Sequence, residues 1–418
     1  MLSEKKRILL VTAGFPFGEW ERGFLATEFQ YLCERFQVTV LAVGREDPLI
    51  YPVPESVRVE RFLYPKAGKS ALLRHIPEPE VRREMIDAAK GAPLKTALSR
   101  IKLINAYYHR AKQVEPVMER LIREQRIDMI YTYWGTEPAV AACLLKKRIP
   151  GLRFVTRFHG HDLFRERKGS NWQPFRPLLA RWTDRLYFAC RMGQGYFNEA
   201  WGGDEKSRLC YLGCAGAERT EHRASDVLRI VSCSNLIALK RVDCIIDALA
   251  LLPESVQVCW DHFGDGPERQ GLEEQAGRKL KDNVLWKFHG RVSNEVLRDH
   301  YRSLDPDVFL TTSSTEGGVP GSIQEAFSMG IHAIGTAAGG IPEIVMPEKT
   351  GFLLSGLTNA RETADALLVF HSLPTEKKEV LSRNALGLWQ TSFDARHNAG
   401  EFIADLERVL NASCSRDE

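Results

Sequence analysis

No stretch of the chain approaches the roughly 20 consecutive apolar residues of a membrane-spanning helix, so no span is expected. Metal-ligand spacing is scarce as well. Cys210 and Cys214 lie four apart, but no second cysteine pair or histidine cluster accompanies them, which argues against a zinc site. The nine cysteines (33, 143, 190, 210, 214, 233, 244, 259 and 414) are scattered, mostly inside apolar runs such as "VQVCW". That is the pattern of reduced, buried thiols, not of a disulfide framework. An excess of one charge is missing too: a net charge of +3 argues neither for nor against nucleic acid or a membrane surface. The first strand-to-helix turn, "VTAGFPFGEW", has no G-x-G-x-x-G, which counts against a nicotinamide oxidoreductase. The "DPD" at 305–307 precedes a strand and reads as a turn, not as a metal clamp.

What is present fits a two-domain globular chain. A length of 418 residues exceeds one ordinary core, and two domains of about 200 residues each are expected. The opening "KKR" and "ILLVTAGFPF" imitate a signal peptide. A first β-strand is the preferred reading, because the apolar run is short and "GEWERGFLATEF" continues directly into a helical pattern. A cytoplasmic location is expected.

Short apolar runs recur, each followed by a turn and an amphipathic segment. "RILLVTAG", "VTVLAVG", "DMIYTYWG", "LRFVTRFHG", "DRLYFACR" and "SRLCYLGC" fill the first half. After the polar stretch 215–227, which reads as a linker, the pattern restarts with "LRIVSCSN", "VQVCWDHFG", "VLWKFHG", "DVFLTTSS", "IHAIGTAAG" and "GFLLSG". Strands alternating with helices predict an α/β fold with parallel sheets covered on both faces, and two Rossmann-like domains facing each other across a cleft. The expected division is 1–218, 219–392, and a terminal helical segment 393–418 packing back on the first domain. Residues 66–125 form a long, basic, mostly helical stretch. Such a segment covers a sheet or lies on an anionic membrane face.

Open parallel sheets bind ligands outside the carboxyl ends of their strands, so the residues following each run are the candidates. "FHGHD" places His159, His161 and Asp162 there; "SNLIALKR" places Asn235, Lys240 and Arg241; "FGDGPE" places Gly264, Asp265 and Gly266. "HGRV", "STEGGVPGSIQE" and "GTAAGGIPE" complete the series. Each is weak alone. Glu325 has a plain structural reading besides, since Ser322-x-x-Glu325 fits a capping box at a helix start.

Taken together and in this order, the segments resemble the family 4 glycosyltransferases, the retaining, nucleotide-sugar-dependent enzymes of the GT-B fold. In the second half the resemblance rests on "VSCSNLIALKRVDCIIDAL", "HFGDGPERQGLE", "FHGRVSNEVL" and "VFLTTSSTEGGVPGSIQEAFSMGIHAIGTAAGGIPEIV". In the first half, "FPFGEWERGFLATEFQYL", "RFHGHDLFRER" and "QPFRPLLARWTDRLYF" look like a bacterial surface-polysaccharide branch.

The resemblance implies that Glu325 bonds the ribose hydroxyls, Lys240 neutralises the donor diphosphate, and His159 lies near the donor sugar. It also implies that the backbone of Gly290, Arg291 and Val292 faces the base and that Gly339 and Gly340 turn close to the phosphates, with Gly264 in the same donor site. A UDP- or GDP-sugar is the expected donor and a glycan or lipid-linked molecule the acceptor, with no separate cofactor, no metal and no nucleic-acid partner. Peripheral contact with the inner membrane face is the option that the branch leaves open.

Two departures from the family pattern stand out. Eight residues, not seven, separate Glu316 from Glu325, so Glu316 reaches the sugar only if the extra glycine, Gly317, bulges. Asn235 stands where many members have arginine, and Arg241 is the expected substitute charge. The rival reading is a catalytically impaired, glycosyltransferase-like binding or scaffold subunit. A nucleotide-sugar epimerase is a further alternative.

Overall fold

The computed structural model describes residues 5–18, 21–44, 46–65, 74–216 and 226–412. Of the expected linker, 217–225 lie outside the described residues, as do 66–73 of the basic stretch and Cys414. The chain divides into two compact units, Met1–Cys210 with Ala399–Glu418, and Tyr211–Asn398.

The first unit is built on seven strands: β1 Arg7–Thr12, β2 Gln37–Val43, β3 Arg58–Phe62, β4 Met129–Thr132, β5 Arg153–Phe158, β6 Arg185–Phe188 and β7 Ser207–Leu209. They form one sheet in the order β3-β2-β1-β4-β5-β6-β7, and every neighbouring pair is parallel. Parallel strands need crossover segments, and helices covering both faces leave the central strands nearly free of polar residues. Accordingly Ile8, Leu9, Leu10 and Ile130 are wholly buried. The exception is edge strand β3, "RVERF", which alternates charge with apolar side chains and keeps no buried residue. The helix Leu94–Gln125 lies in the basic stretch and buries Ile104, Ala111, Val114, Met118 and Leu121. That burial supports its reading as a cover for the sheet.

The C-terminal helix, Ala395–Asn411, supplies the last layer of this unit. Phe402 is buried, with ring centroids 5.2 Å from Tyr131 and 4.8 Å from Tyr187. Asp405 accepts hydrogen bonds from Arg185 Nε and the Tyr187 hydroxyl, both at 2.9 Å.

The second unit holds β8 Leu228–Cys233, β9 Val258–Phe263, β10 Val284–Gly290, β11 Val308–Thr311, β12 Ala333–Thr336 and β13 Gly351–Leu354. Their order is β10-β9-β8-β11-β12-β13, again wholly parallel. The unit begins at Tyr211 because residues 211–216 are tied to its C-terminal end. Cys214 N–H donates to Phe393 O at 3.0 Å, and Ala395 N–H donates to Cys214 O at 3.1 Å. A directed chain of hydrogen bonds crosses the core beneath β8 and β9. Trp260 Nε1–H donates to Ser232 Oγ (2.9 Å), Ser232 Oγ–H to His262 Nδ1 (2.8 Å), and His262 Nε2–H to Ser234 O (3.3 Å). Burial pulls His262 down to about 4, so the ring stays neutral and this tautomer holds the loop after β8 in place.

Candidate active site

The polar residues of the second unit gather at the carboxyl ends of β8 to β12. After β8, Leu236 N–H donates to Asp265 O at 3.0 Å, and a short 3-10 turn, Ala238–Lys240, follows. Arg241 takes the left-handed conformation (φ 49) and starts the helix Val242–Ala250. The loop after β11 is stitched to this turn. Thr312 Oγ1 donates to Arg241 O (2.7 Å), and Ser314 donates to Leu239 O from its backbone (2.9 Å) and its hydroxyl (3.1 Å). Two loops so fixed bring Lys240 Nζ to 2.5 Å from Glu316 Oε1. Both side chains are largely withdrawn from solvent, at 21% and 13% exposure.

Gly339 and Gly340 lie directly against that loop. A Cβ on Gly339 would stand 2.2 Å from the carbonyl oxygen of Glu316, and its φ of 57 already favours glycine. Gly340 N–H donates to Gly318 O at 3.2 Å. On the other side, Gly264 approaches the loop after β8 so closely that a Cβ would meet Ser234 O at 1.9 Å. Gly264 N–H donates to Gly290 O at 2.8 Å, which places the end of β10 beside it. Arg291 then reaches back, its Nη2 donating to Asn235 Oδ1 at 3.3 Å, with Val292 next in the chain. The guanidinium beside Asn235 is therefore that of Arg291. The charge of Arg241 is felt at Cys244, and that of Lys240 at Cys233.

Glu325 sits on the helix Gly321–Ser328, whose N-cap is Pro320 with no side-chain cap. The expected capping box is absent, because the helix begins one residue before Ser322 and leaves that serine inside the first turn. Glu325 is buried and accepts a hydrogen bond from Asn294 Nδ2. Burial pushes its carboxyl up to about 7, against the opposing pull of the Arg298 guanidinium and the Asn294 amide. Its charge also acts on Cys233, at the end of β8, as does that of Lys240, so both charged groups lie near one strand end.

Residues 228–372 match the family described as glycosyl transferases group 1. The second unit carries a glycosyl transferases group 1 domain. WcaL of Escherichia coli, named as a colanic acid biosynthesis glycosyltransferase, is 26% identical over 263 residues, covering 60% of this chain and 63% of that protein. The match therefore spans a little under two thirds of WcaL. A protein from Mycobacterium tuberculosis, named as a GDP-mannose-dependent alpha-(1-6)-phosphatidylinositol monomannoside mannosyltransferase, is 27% identical over 61% of this chain and 69% of its own length. The crystal structure of HepE from Anabaena, solved with UDP and glucose, superposes with a TM-score of 0.65 at 19% identity, over 97% of this chain and 100% of that one. The two parallel sheets with alternating helices are those of the GT-B fold.

Within the group 1 domain, Asn294 and Arg298 escaped sequence reasoning. Their only signal is the four-residue spacing that puts both on one face of the helix Asn294–Leu304. His262 escaped because it acts from the core. "DPD" is a turn: Asp305 caps that helix in the left-handed conformation, and Asp307 accepts from Arg229 N at 2.6 Å.

His159, in the first unit, follows β5. Its Nε2–H donates to Tyr133 O (3.1 Å), its backbone N–H donates to Asp162 Oδ1 (2.8 Å), and its ring lies 4.3 Å from that of Trp134. Burial lowers it to about 4, leaving a neutral imidazole whose Nδ1 is an acceptor. The buried Glu21 was also missed. It accepts from the N–H groups of Ala13 (3.0 Å) and Phe15 (2.7 Å) and from Trp134 Nε1, bracing the loop after β1.

Proposed function

We propose that the protein is a retaining glycosyltransferase that moves a hexosyl group from a nucleotide-sugar donor to a glycan or lipid-linked acceptor in cell-surface polysaccharide synthesis. The observation that carries this reading is the pairing, at one strand end of the group 1 domain, of a cation fit for a diphosphate with a carboxylate fit for a diol. Lys240 and the side chain of Arg291 offset the charge of the diphosphate; at ~4 Å and an effective dielectric of ~20 the bare Coulomb attraction is ~4 kcal/mol, of which desolvation and the loss of Glu316 leave Lys240 a part and solvent screening leaves the exposed Arg291 little. Glu325 accepts from the ribose hydroxyls, and the backbone around Gly290 and Val292 meets the base. Gly339 and Gly340 leave room for the phosphates, and Gly264 and Asn235 complete the wall.

In the reaction the bond from the anomeric carbon to the diphosphate oxygen breaks, and its electron pair leaves on the diphosphate. The acceptor hydroxyl bonds to the same face of that carbon and its proton passes to the leaving phosphate oxygen. Glu316 acts on the sugar through its carboxylate once Lys240 turns to phosphate, and His159, on the first unit, offers Nδ1 as the acceptor for a hydroxyl hydrogen. Stabilising the departing charge with preset groups is the main catalytic means. The relatives support a UDP- or GDP-linked donor, and WcaL supports the polysaccharide context. The protein works in the cytoplasm, at or near the inner membrane face.

Calorimetric titration of UDP-, GDP-, ADP- and TDP-sugars into wild type and Glu325→Ala tests the reading. One donor that binds tightly and loses affinity in the variant is expected. If none binds, the scaffold alternative replaces it.

A further inference from the structure

We propose that the carboxyl edge of the first unit holds an anion site, made by Lys168, His161 and Arg176, for a phosphate or carboxylate group on the acceptor. The proposal rests on the glycosyl-transfer reading only in calling that molecule the acceptor. The charges stand without it.

Arg176 is fully buried, yet its guanidinium meets only uncharged oxygens: Pro174 O at 3.1 Å, Asp162 O at 2.6 Å and Gln173 Oε1 at 3.1 Å. Its Nε, also buried, has no hydrogen-bond partner among the described residues. A guanidinium buried without a carboxylate is costly, and its field reaches whatever lies above it. Lys168 lies within that field. Its ammonium donates to His161 Nε2 at 2.8 Å, its one hydrogen bond among the described residues. Burial and then Arg176 make it easier to deprotonate than an ordinary lysine.

Because Nε2 of His161 accepts, the neutral ring carries its proton on Nδ1. Two ammonium hydrogens of Lys168 and one ring N–H of His161 are therefore left to donate to an oxyanion. The charge of Arg167 is felt at His161 as well.

Nearby carboxylates act on the group through space, and none pairs with Lys168 among the described residues: Asp162 and Glu137 each draw Lys168 up more weakly than burial and Arg176 push it down, and Glu84, which feels Arg176, accepts from Trp172 Nε1 at 2.9 Å. Asp162 gives Oδ1 to His159 N–H and Oδ2 to Gly135 N–H, at 2.8 and 2.7 Å. Glu137 pairs with Arg110 at 3.3 Å, and Glu166 accepts from the Tyr196 hydroxyl at 3.2 and 3.3 Å. The cluster follows β5 two residues beyond His159, on the edge where a parallel sheet receives its ligand.

The test uses the full chain saturated with UDP, which occupies the donor site. Three probes are titrated: octyl diphosphate, an octyl hexuronide and a neutral octyl hexoside. At least one anionic probe is expected to bind about tenfold tighter than the neutral one. Lys168→Gln should abolish that preference, and Lys168→Arg should retain it. A preference for the diphosphate identifies a lipid-diphosphate acceptor; one for the hexuronide identifies an acidic glycan.

Equal binding of charged and neutral probes overturns the proposal, as does a Gln variant that loses all three alike or none. Should that variant melt early, wild type decides by salt dependence. Anionic binding that weakens with ionic strength supports the site, and a flat response sinks it. If UDP does not bind, GDP takes its place, and the donor reading falls separately only when neither nucleotide binds. The panel without nucleotide then still judges the anion site by the same criterion.

Discussion

Lys240 Nζ lies 2.5 Å from Glu316 Oε1, so the cation proposed for a diphosphate is held by the acid proposed for a sugar. On that proposal, donor binding exchanges Glu316 for phosphate. Lys240→Ala should lower nucleotide-sugar affinity by ~10–100-fold, the value of a charged hydrogen bond. Glu316→Gln should raise the affinity for UDP or GDP a few-fold while lowering the transfer rate. Calorimetry paired with a transfer assay separates the two effects, and unchanged affinity in Glu316→Gln would count against the exchange.

Glu325 gives the site a pH dependence. Its carboxyl is raised from 4.5 to about 7 by burial, so the folded protein keeps a proton that the unfolded chain has released. Its contribution to stability is fully present below about pH 4.5 and is lost as pH rises through about 7. Binding runs the other way, because the ionised carboxylate is the better acceptor for ribose. Nucleotide affinity should climb across pH 7, and Glu325→Gln should flatten both profiles. Denaturant titrations and calorimetry over pH 5–9 check this.

Gly339→Ala should lose ~2 kcal/mol or more, since the added Cβ meets Glu316 O at 2.2 Å in a left-handed backbone. The melting temperature should fall and donor binding with it, because the displaced atom belongs to the Glu316 loop. A variant that melts like wild type would refute this packing.

Arg291→Gln should weaken nucleotide-sugar binding only a few-fold, because the guanidinium beside Asn235 is exposed. The loss should shrink as salt is added. A loss independent of salt would mean that Arg291 acts through shape, not charge.

Phe402→Ala should cost ~3–5 kcal/mol, as expected for a buried aromatic ring facing Tyr131 and Tyr187. Chemical denaturation followed by tryptophan emission measures it.

The parallel sheets were legible because most of their interior strands are short, largely apolar runs. Strand β3 was not: the alternating charges of "RVERF" satisfy an edge and look like loop. The placement of Lys240, Gly264, Gly339 and Glu325 beyond strand ends could be read because each follows an apolar run. Asn294 and Arg298 could not, since a helix face shows only its spacing and not which carboxylate it will meet. The charge at Asn235 was sought in its neighbour along the chain, Arg241. Arg241 starts the helix Val242–Ala250 in the left-handed conformation, and the guanidinium that bonds Asn235 comes from Arg291, after β10.

The first unit is discontinuous in sequence: Phe402 and Asp405, which cover Tyr131, Tyr187 and Arg185, come after the whole of the second unit. Those tyrosines cannot be covered until the last helix has been made, so the first unit, although its strands come first in the chain, reaches its native burial only after the whole of residues 211–398 has been synthesised.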